Sequence, residues 1–320
     1  MLDWLTGRIM LPPEGSAYAG EVDFVFLGLY WFSQVMFWGI TLSAVYFAWR
    51  YRYKKGRRTP HQTHNTTLEV VWTIIPLLLC VGIFFWGLNG YMKYAVAPGD
   101  AMEIVVTGKQ WLWQFEYPDG SRTVNDLHVP INQNIRLVMT SEDVLHDFFI
   151  PDMRIKHDVV PGRYTSIWFT PNKIGTHIFT CAEYCGRDHS GMHGEMTVES
   201  AEDFAVFMAT GGTEFEGYFN GETGTPADWG RIQYERKGCS SCHSVDGSSG
   251  KGPTWLHLYD SQVELDDGTT VTADARYLQR SMMQPGAQVV QGFEPIMPTF
   301  QGLLREHELR GLIAYIQSLQ

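Results

Sequence analysis

Two long uncharged stretches dominate the N-terminal part of the chain. Residues 24–49 are 26 positions without a formal charge, and residues 70–92 are 23 more. Either is long enough to cross a hydrocarbon core, which needs about 20 apolar residues. A buried globular helix is the alternative, but length and aromatic content favour a transmembrane helix hairpin over residues 24–92.

The loop between the two stretches is basic. Six of the nine residues from 50 to 58 are Lys or Arg. Short loops rich in Lys and Arg are expected on the cytoplasmic side of a membrane. The loop 50–68 is therefore predicted to be cytoplasmic, and both termini, including the segment 1–23, to face outward. Nothing in 1–23 resembles a signal peptide, because the segment lacks an apolar core and carries acidic residues.

A different pattern begins near residue 102. Short β-branched and aromatic runs, such as "MEIVVTGKQWLWQFEY", "NIRLVMTS", "RYTSIWFT" and "THIFT", are separated by Gly, Pro, Asn and Asp. Runs of this kind predict an all-β sandwich or barrel, here over residues 93–200.

The remaining residues read as a linker and a helical domain. Residues 201–228 hold a short helical piece at 201–209 and then a Gly-, Glu- and Thr-rich stretch, which predicts a linker. Residues 229–320 are predicted to be mostly α-helical, with a hairpin at "VELDDGTTVTAD". The last helix should bury one apolar face, formed by Leu309, Leu312, Ile313, Ile316 and Leu319.

Charge restricts the class of partner. The formal net charge is −11, while residues 1–92 carry seven basic and five acidic side chains. The outward domains are therefore strongly acidic, which argues against nucleic acid as a ligand because phosphates would be repelled.

One twelve-residue segment, "CAEYCGRDHSGM" (181–192), concentrates metal-binding side chains. A mononuclear blue-copper centre uses two His, one Cys and a weak axial Met. Cys181, His189 and Met192 supply three of these, and His146 on an earlier strand is the candidate for the second His. Cys185 is surplus to that set, and two neighbouring thiolates could bridge two metal ions.

Two alternatives apply to the same segment. Cys181 and Cys185 could form a disulfide in an outward-facing domain, but the nearby His189 and Met192 favour a metal site. Zinc fits less well than copper, because Met is a poor zinc ligand.

These motifs resemble subunit II of the haem–copper cytochrome c oxidases. "LEVVWTIIP" (68–76), "GKQWLWQFEY" (108–117) and "DVVPGR" (158–163) are similar to that family's signatures. The resemblance implies a cupredoxin-like β-domain with a dinuclear copper centre, called CuA. It assigns the copper ligands to His146, Cys181, Cys185, His189 and Met192, and to the backbone carbonyl of Glu183.

The same resemblance gives roles to three further side chains. The Glu183 carboxylate resembles a magnesium ligand at the border with subunit I. Trp111 resembles the aromatic through which electrons enter CuA, although Trp111 and Trp113 on one strand face would ordinarily be core residues. Glu69 resembles the acid at the mouth of a proton path shared with subunit I; the alternative is a solvated carboxylate favoured by the helix dipole.

A second motif, "CSSCH" (239–243), is the C-x-x-C-H signature of covalent haem c. Cys239 and Cys242 would form the thioethers and His243 would bind the iron. Met297 in "EPIMPTF" is the candidate for the other axial ligand, because Met282 and Met283 lie in a predicted helix. Pro253 resembles the proline whose carbonyl orients the haem histidine. The region is similar to a class I cytochrome c domain fused to subunit II.

Together these expectations describe an electron-transfer subunit of a respiratory terminal oxidase. Electrons would pass from haem c to CuA and then to subunit I, where O₂ is reduced to water with proton pumping. The donor would be a cytochrome c or an upstream respiratory complex, and the location a bacterial inner membrane. A copper-delivery protein is the alternative, but it has no use for His189, Met192 or a haem. A quinol-oxidase-type subunit would lack the copper ligands.

Overall fold

The computed structural model describes residues 10–57, 64–212 and 214–320. Parts of the predicted N-terminal segment (1–9), of the basic loop (58–63) and of the linker (213) lie outside the described residues. The helices are α1 (Ala19–Arg50), α2 (Thr66–Ala95), α3 (Ala201–Thr210), α4 (Glu216–Phe219), α5 (Pro226–Arg236), α6 (Ala275–Met283) and α7 (Glu306–Ser318). The strands are β1 (Met102–Lys109), β2 (Leu112–Glu116), β3 (Arg122–Val124), β4 (Asp126–Pro130), β5 (Ile135–Ser141), β6 (His146–Ile150), β7 (Ile155–Val159), β8 (Thr165–Phe169), β9 (Gly175–Cys181), β10 (His193–Glu199), β11 (Gln262–Glu264) and β12 (Thr270–Thr272).

Helices α1 and α2 form the first compact unit and confirm the two predicted spans. Both are long and apolar enough to cross a membrane, and their most apolar windows bury none of their residues within the protein. Each helix is longer than the uncharged run that predicted it. Helix α1 starts at Ala19 and carries Glu21 and Asp23 near its N-terminus, where the helix dipole favours acids. The absence of charge therefore marks the apolar middle of each helix rather than its ends.

The β-domain is a sandwich of two five-stranded sheets. One sheet has the order β3-β2-β1-β5-β8 and the other β4-β10-β9-β6-β7. The pairs β1–β5 and β4–β10 are parallel, and the other strand pairs are antiparallel. Alternate side chains point inward along β1 and β5, because neighbouring residues of a strand face opposite sides of its sheet. The core is aromatic, with Phe115, Phe148 and Phe179 fully buried.

The run "MEIVVTGKQWLWQFEY" is two strands rather than one. Strands β1 and β2 pair antiparallel with Lys109 opposite Leu112, so the chain reverses at Gln110 and Trp111. Asp143 supports this turn, since its Oδ2 accepts a hydrogen bond of 2.7 Å from the Gln110 backbone amide. The expectation that Trp111 and Trp113 share a strand face was wrong: Trp113 is fully buried in the core, whereas Trp111 lies in the turn and is half-buried.

His128 on β4 is an ion-paired residue at the edge of the sandwich. Its Nε2 lies 3.1 Å from Asp126 Oδ1 and its Nδ1 lies 3.0 Å from Glu199 Oε1. The ring stacks on Phe207 of α3 with 3.7 Å between centroids. Burial alone would lower the pKa of His128, but the hydrogen bonds and charges of the two carboxylates raise it to about 9. The raised pKa therefore favours the protonated imidazole at neutral pH, in a position where its side chain is only 17% exposed.

This raised pKa predicts a pH-dependent stability. A group whose pKa is higher in the folded state stabilises it fully below its unfolded value of about 6.5, and that stabilisation is lost as pH rises through about 9. The loss should be about 2–4 kcal/mol of opening free energy. Amide hydrogen exchange in β4 and β10 should therefore accelerate between pH 6.5 and 9.5 beyond the intrinsic base effect. His128→Gln should remove that excess, and the exposed His157→Gln should not; an equal excess in His128→Gln would contradict the assignment.

The C-terminal domain packs α5 against α7. Helix α5 begins at Pro226, inside the predicted linker, because Thr225 and Asp228 form a reciprocal capping box around it. Gly230 and Gly311 make the helix crossing close: a Cβ on Gly230 would lie 1.9 Å from the Gly311 carbonyl oxygen. The predicted hairpin is present as β11 and β12. On the predicted apolar face of α7, Leu312 and Ile316 are buried, and Leu309, Ile313 and Leu319 pack against the core in part.

Candidate functional site

Three backbone segments bring the predicted copper ligands together. His146 is the first residue of β6, Cys181 is the last residue of β9, and these strands are neighbours in one sheet. The Cys181 amide donates a 2.9 Å hydrogen bond to the Met192 carbonyl, which closes the base of the loop 181–192. The loop therefore folds back on itself and directs its sulfur and nitrogen atoms inward.

The ligand atoms form one compact cluster. Cys181 Sγ lies 3.7 Å from Cys185 Sγ and 3.9 Å from His146 Nδ1. Cys185 Sγ lies 3.6 Å from His189 Nδ1 and 3.6 Å from Met192 Sδ. His146, both cysteines and Met192 are buried, with Cys181 the most exposed of them at 7%. The two thiols thus sit at the centre, with one imidazole beside each.

Glu183 contributes through its backbone. Its carbonyl oxygen lies 3.1 Å from Cys181 Sγ, whereas its side chain is exposed to solvent. This arrangement fits the two separate roles that the resemblance assigned to the carbonyl and the carboxylate. Glu69 lies in the first turn of α2, where its Oε1 accepts a 3.3 Å hydrogen bond from the Asn65 amide. That contact is a helix-capping interaction.

Two polar side chains that the sequence did not single out hold the ligands in place. Asp143 Oδ1 accepts a 2.9 Å hydrogen bond from His146 Nε2, which leaves Nδ1 facing the thiols. Burial would raise the pKa of Asp143, but hydrogen bonds from the Gln110 amide, His146 and the Val144 amide hold it below its usual value. Gln110 Nε2 donates a 2.7 Å hydrogen bond to the Cys185 carbonyl oxygen. Carboxylates that orient a ligating imidazole are a recurrent feature of metal sites.

The donor set fits copper. All five cysteines are free thiols, and the 3.7 Å sulfur separation is far longer than the ~2.05 Å of a disulfide. Burial, reinforced by Cys181, raises the pKa of Cys185 to about 12, so metal binding would release its proton. Soft thiolates and a thioether with two imidazoles select copper over harder ions.

A cavity of 380 Å³ is lined mainly by apolar side chains of the C-terminal domain and also borders the β1–β2 turn of the β-domain. Cys239, Cys242 and His243 lie on its wall, as do Met297 and Met282. A cavity with two thiols and an imidazole on one side and a thioether available for the iron fits a covalently attached haem.

His243 is oriented for a metal. Its Nδ1 lies 2.7 Å from the Pro253 carbonyl, which can only accept, so Nδ1 carries the proton and Nε2 keeps a free lone pair. Burial lowers the pKa of His243, so the ring is neutral. Burial also raises the pKa of Cys239 to about 12, so both groups face the cavity uncharged.

Trp111 lies between the two sites. The indole lines the 380 Å³ cavity. On the other side, a Cβ on Gly186 in the copper loop would lie 3.1 Å from Trp111 Cζ2, so ring and loop are in close contact. Lys251, from the loop after the C-x-x-C-H motif, places Nζ 3.6 Å from the ring centroid. No sequence spacing predicts this contact, because 140 residues separate its partners.

Fold and site define the chain as a membrane-anchored protein in which a cupredoxin-like metal-binding domain is joined to a domain with a haem-attachment motif. Family models describe residues 5–89 as the cytochrome c oxidase subunit II transmembrane domain, 121–200 as its periplasmic domain and 227–320 as cytochrome c. Cytochrome c oxidase subunit 2 of Alkalihalophilus pseudofirmus is 30% identical over 281 residues, covering 85% of this chain and 79% of that protein. The chain belongs to the cytochrome c oxidase subunit II family.

Two further relatives cover less of the chain. The alternative cytochrome c oxidase subunit 2 of Bradyrhizobium diazoefficiens is 28% identical over 225 residues, which are 59% of this chain and 79% of that protein. A solved periplasmic domain of subunit II of cytochrome oxidase from Bradyrhizobium japonicum is 32% identical, covering 36% of this chain and 96% of that one, with a TM-score of 0.35.

Proposed function

We propose that this chain accepts electrons at a covalent haem c and passes them through a dinuclear CuA centre to subunit I. Subunit I then reduces O₂ to water and pumps protons. Membership of the family supports an electron-transfer role within a terminal oxidase. The observation that carries the finer proposal is the pair of thiols 3.7 Å apart with an imidazole nitrogen within 4 Å of each.

The protein's contribution at the copper site is to fix the ligand geometry. Cys181, Cys185, His146, His189, Met192 and the Glu183 carbonyl would together hold the two copper ions. Bound copper and haem would supply the one-electron chemistry. The buried, hydrogen-bonded ligands limit rearrangement between oxidation states, because Asp143 and Gln110 hold the imidazole and the loop.

At the haem site, Cys239 and Cys242 would attach the group, and His243 and Met297 would hold its iron. The Pro253 carbonyl fixes the imidazole, and most of the cavity wall is apolar. Trp111 touches the copper loop and lines the haem cavity, which supports its role as the aromatic through which electrons enter the copper centre.

The remaining assignments concern the assembled oxidase. We place the chain in a bacterial inner membrane with both termini and both redox domains on the periplasmic side. A periplasmic-domain family match and the two apolar helices support this. The exposed Glu183 carboxylate would bind magnesium at the subunit I border, and Glu69 would open a proton path there. The donor would be a cytochrome c or an upstream respiratory complex.

Metal and haem content tests the proposal. The purified oxidase, with its subunits resolved, should hold two copper ions and one covalent haem for each copy of this chain, in addition to the cofactors of subunit I. Haem staining after denaturation should label this chain, since thioether bonds survive unfolding. One copper per chain, or an unstained chain, would refute the proposal, and a haem-free chain that loads copper reversibly would favour copper delivery instead.

A further inference from the structure

Lys251 joins the cytochrome domain to the turn that carries Trp111. Its ammonium group lies over the indole ring at 3.6 Å and also forms an ion pair with Asp188 of the copper loop. The Lys251 side chain is only 14% exposed, so the contact is largely shielded from water. A cation over an indole and beside a carboxylate is held by both, and shielding strengthens each attraction.

The other charged contacts between the two domains have the same polarity. Lys237 Nζ lies 3.9 Å from Asp126 Oδ2, and Arg236 Nε lies 3.7 Å from Glu195 Oε2. In each pair the cation belongs to the cytochrome domain and the anion to the β-domain. This uniform polarity is notable because residues 226–320 hold eight Lys or Arg and eleven Asp or Glu. The cytochrome domain is acidic as a whole, yet the charged side chains that it presents to the β-domain in these pairs are cations.

Apolar contacts accompany the charges. Leu112 and Val124 of the β-domain form a buried cluster with Phe300 and Leu303 of the cytochrome domain. Lys237 is 1% exposed and is also paired with Glu308 at 2.8 Å. The buried Lys237 ammonium group therefore has carboxylates from both domains near it, Glu308 from its own domain and Asp126 from the β-domain.

We propose that Lys251 is a positioning residue that locks the cytochrome domain over Trp111, so that this indole serves only the chain's own haem domain and is closed to a separate protein donor. The inference rests on the proposed function. Any other protein reaching Trp111 would first have to displace Lys251 from both the ring and Asp188. Electrons from outside must then enter through the cytochrome domain.

Amide hydrogen exchange in the purified oxidase tests the lock without measuring turnover. In Lys251→Glu, a carboxylate would face Asp188 and the ring would lose its cation. Exchange in residues 109–112 and 186–189 should rise by about 5–30-fold, the change that loss of such a contact implies. Lys251→Arg keeps the charge and the stacking and should stay close to wild type. Arg276→Glu, an exposed charge reversal on α6, is the matched control.

The second measurement is the order in which the haem and the copper of this chain are reduced after rapid mixing with a reduced, basic cytochrome c. In the wild type the haem of this chain should be reduced before copper. In Lys251→Glu, part of the copper should be reduced at the same time as the haem or before it. Unchanged exchange in Lys251→Glu, an equal rise in Arg276→Glu, or direct copper reduction in the wild type would each overturn the lock. Copper and haem are counted in the same samples, so failure of the proposed function is seen separately as missing cofactors.

Discussion

Cys185→Ser is expected to abolish the dinuclear copper centre. Cys185 Sγ is the atom that connects the cluster, with Cys181 Sγ at 3.7 Å, His189 Nδ1 at 3.6 Å and Met192 Sδ at 3.6 Å. Serine has nearly the same size but offers a hard, protonated oxygen that copper does not select over thiolate. Without a second bridge, at most one copper can remain bound to the surviving ligands.

The effect on activity should exceed that of losing an outer hydrogen-bond partner, which typically costs 10–100-fold in metal affinity or activity. Copper analysis of the purified complex and the absorption of its copper centre are the measurements. Cys80→Ser is the matched control, since Cys80 is an exposed thiol on α2 outside the cluster. A Cys185→Ser protein that still holds both coppers would show that the two sulfurs do not bridge the metals.

The sequence pointed to the candidate ligand residues because they carry distinctive chemistry within a short segment. Cys181, Cys185, His189 and Met192 fall within twelve positions, and the strand pattern placed His146 on an earlier strand, which the structure shows to be the neighbour of β9. The domain order and both membrane spans followed from residue runs of sufficient length. These features depend on local composition, which a single sequence records directly.

Contacts between residues that are distant in the sequence, and element boundaries without a clear local signal, were not predicted. Asp143 is three residues before His146, and a carboxylate at that spacing could have been weighed as its partner, but Gln110 reaches the copper loop from 75 residues away. The turn at Gln110 and Trp111 contains no Gly, Pro, Asn or Asp, so nothing marked the end of β1. The start of α5 was missed for a different reason: "TPAD" (225–228) is a helix-start signal that the Gly-rich surroundings obscured.

Two methionines line the haem cavity, and their packing differs. Met282 and Met297 both line the haem cavity, whereas Met283 does not. Met282 lies in α6, is 6% exposed, and belongs to the buried core of the cytochrome domain. Met297 lies in the segment between α6 and α7, is only partly buried, and packs at the edges of two apolar clusters. A thioether outside the helix can approach the iron without disturbing the core, so we expect Met297 to be the ligand.

Met297→Leu should therefore remove the sixth ligand while nearly preserving side-chain volume. Met/His ligation raises the haem potential, so its loss should lower that potential on the order of 0.1 V or more, within the ~0.8 V that axial ligands span. Redox titration of the haem c band and its low-spin signature are the measurements. Met282→Leu makes the same chemical change in the core. It should alter neither the haem potential nor the low-spin signature, and it should lower the free energy of unfolding by less than about 1.5 kcal/mol. If instead Met282→Leu loses the low-spin signature and Met297→Leu keeps it, helix α6 supplies the ligand and the electron acceptor of this chain is built differently from the proposal.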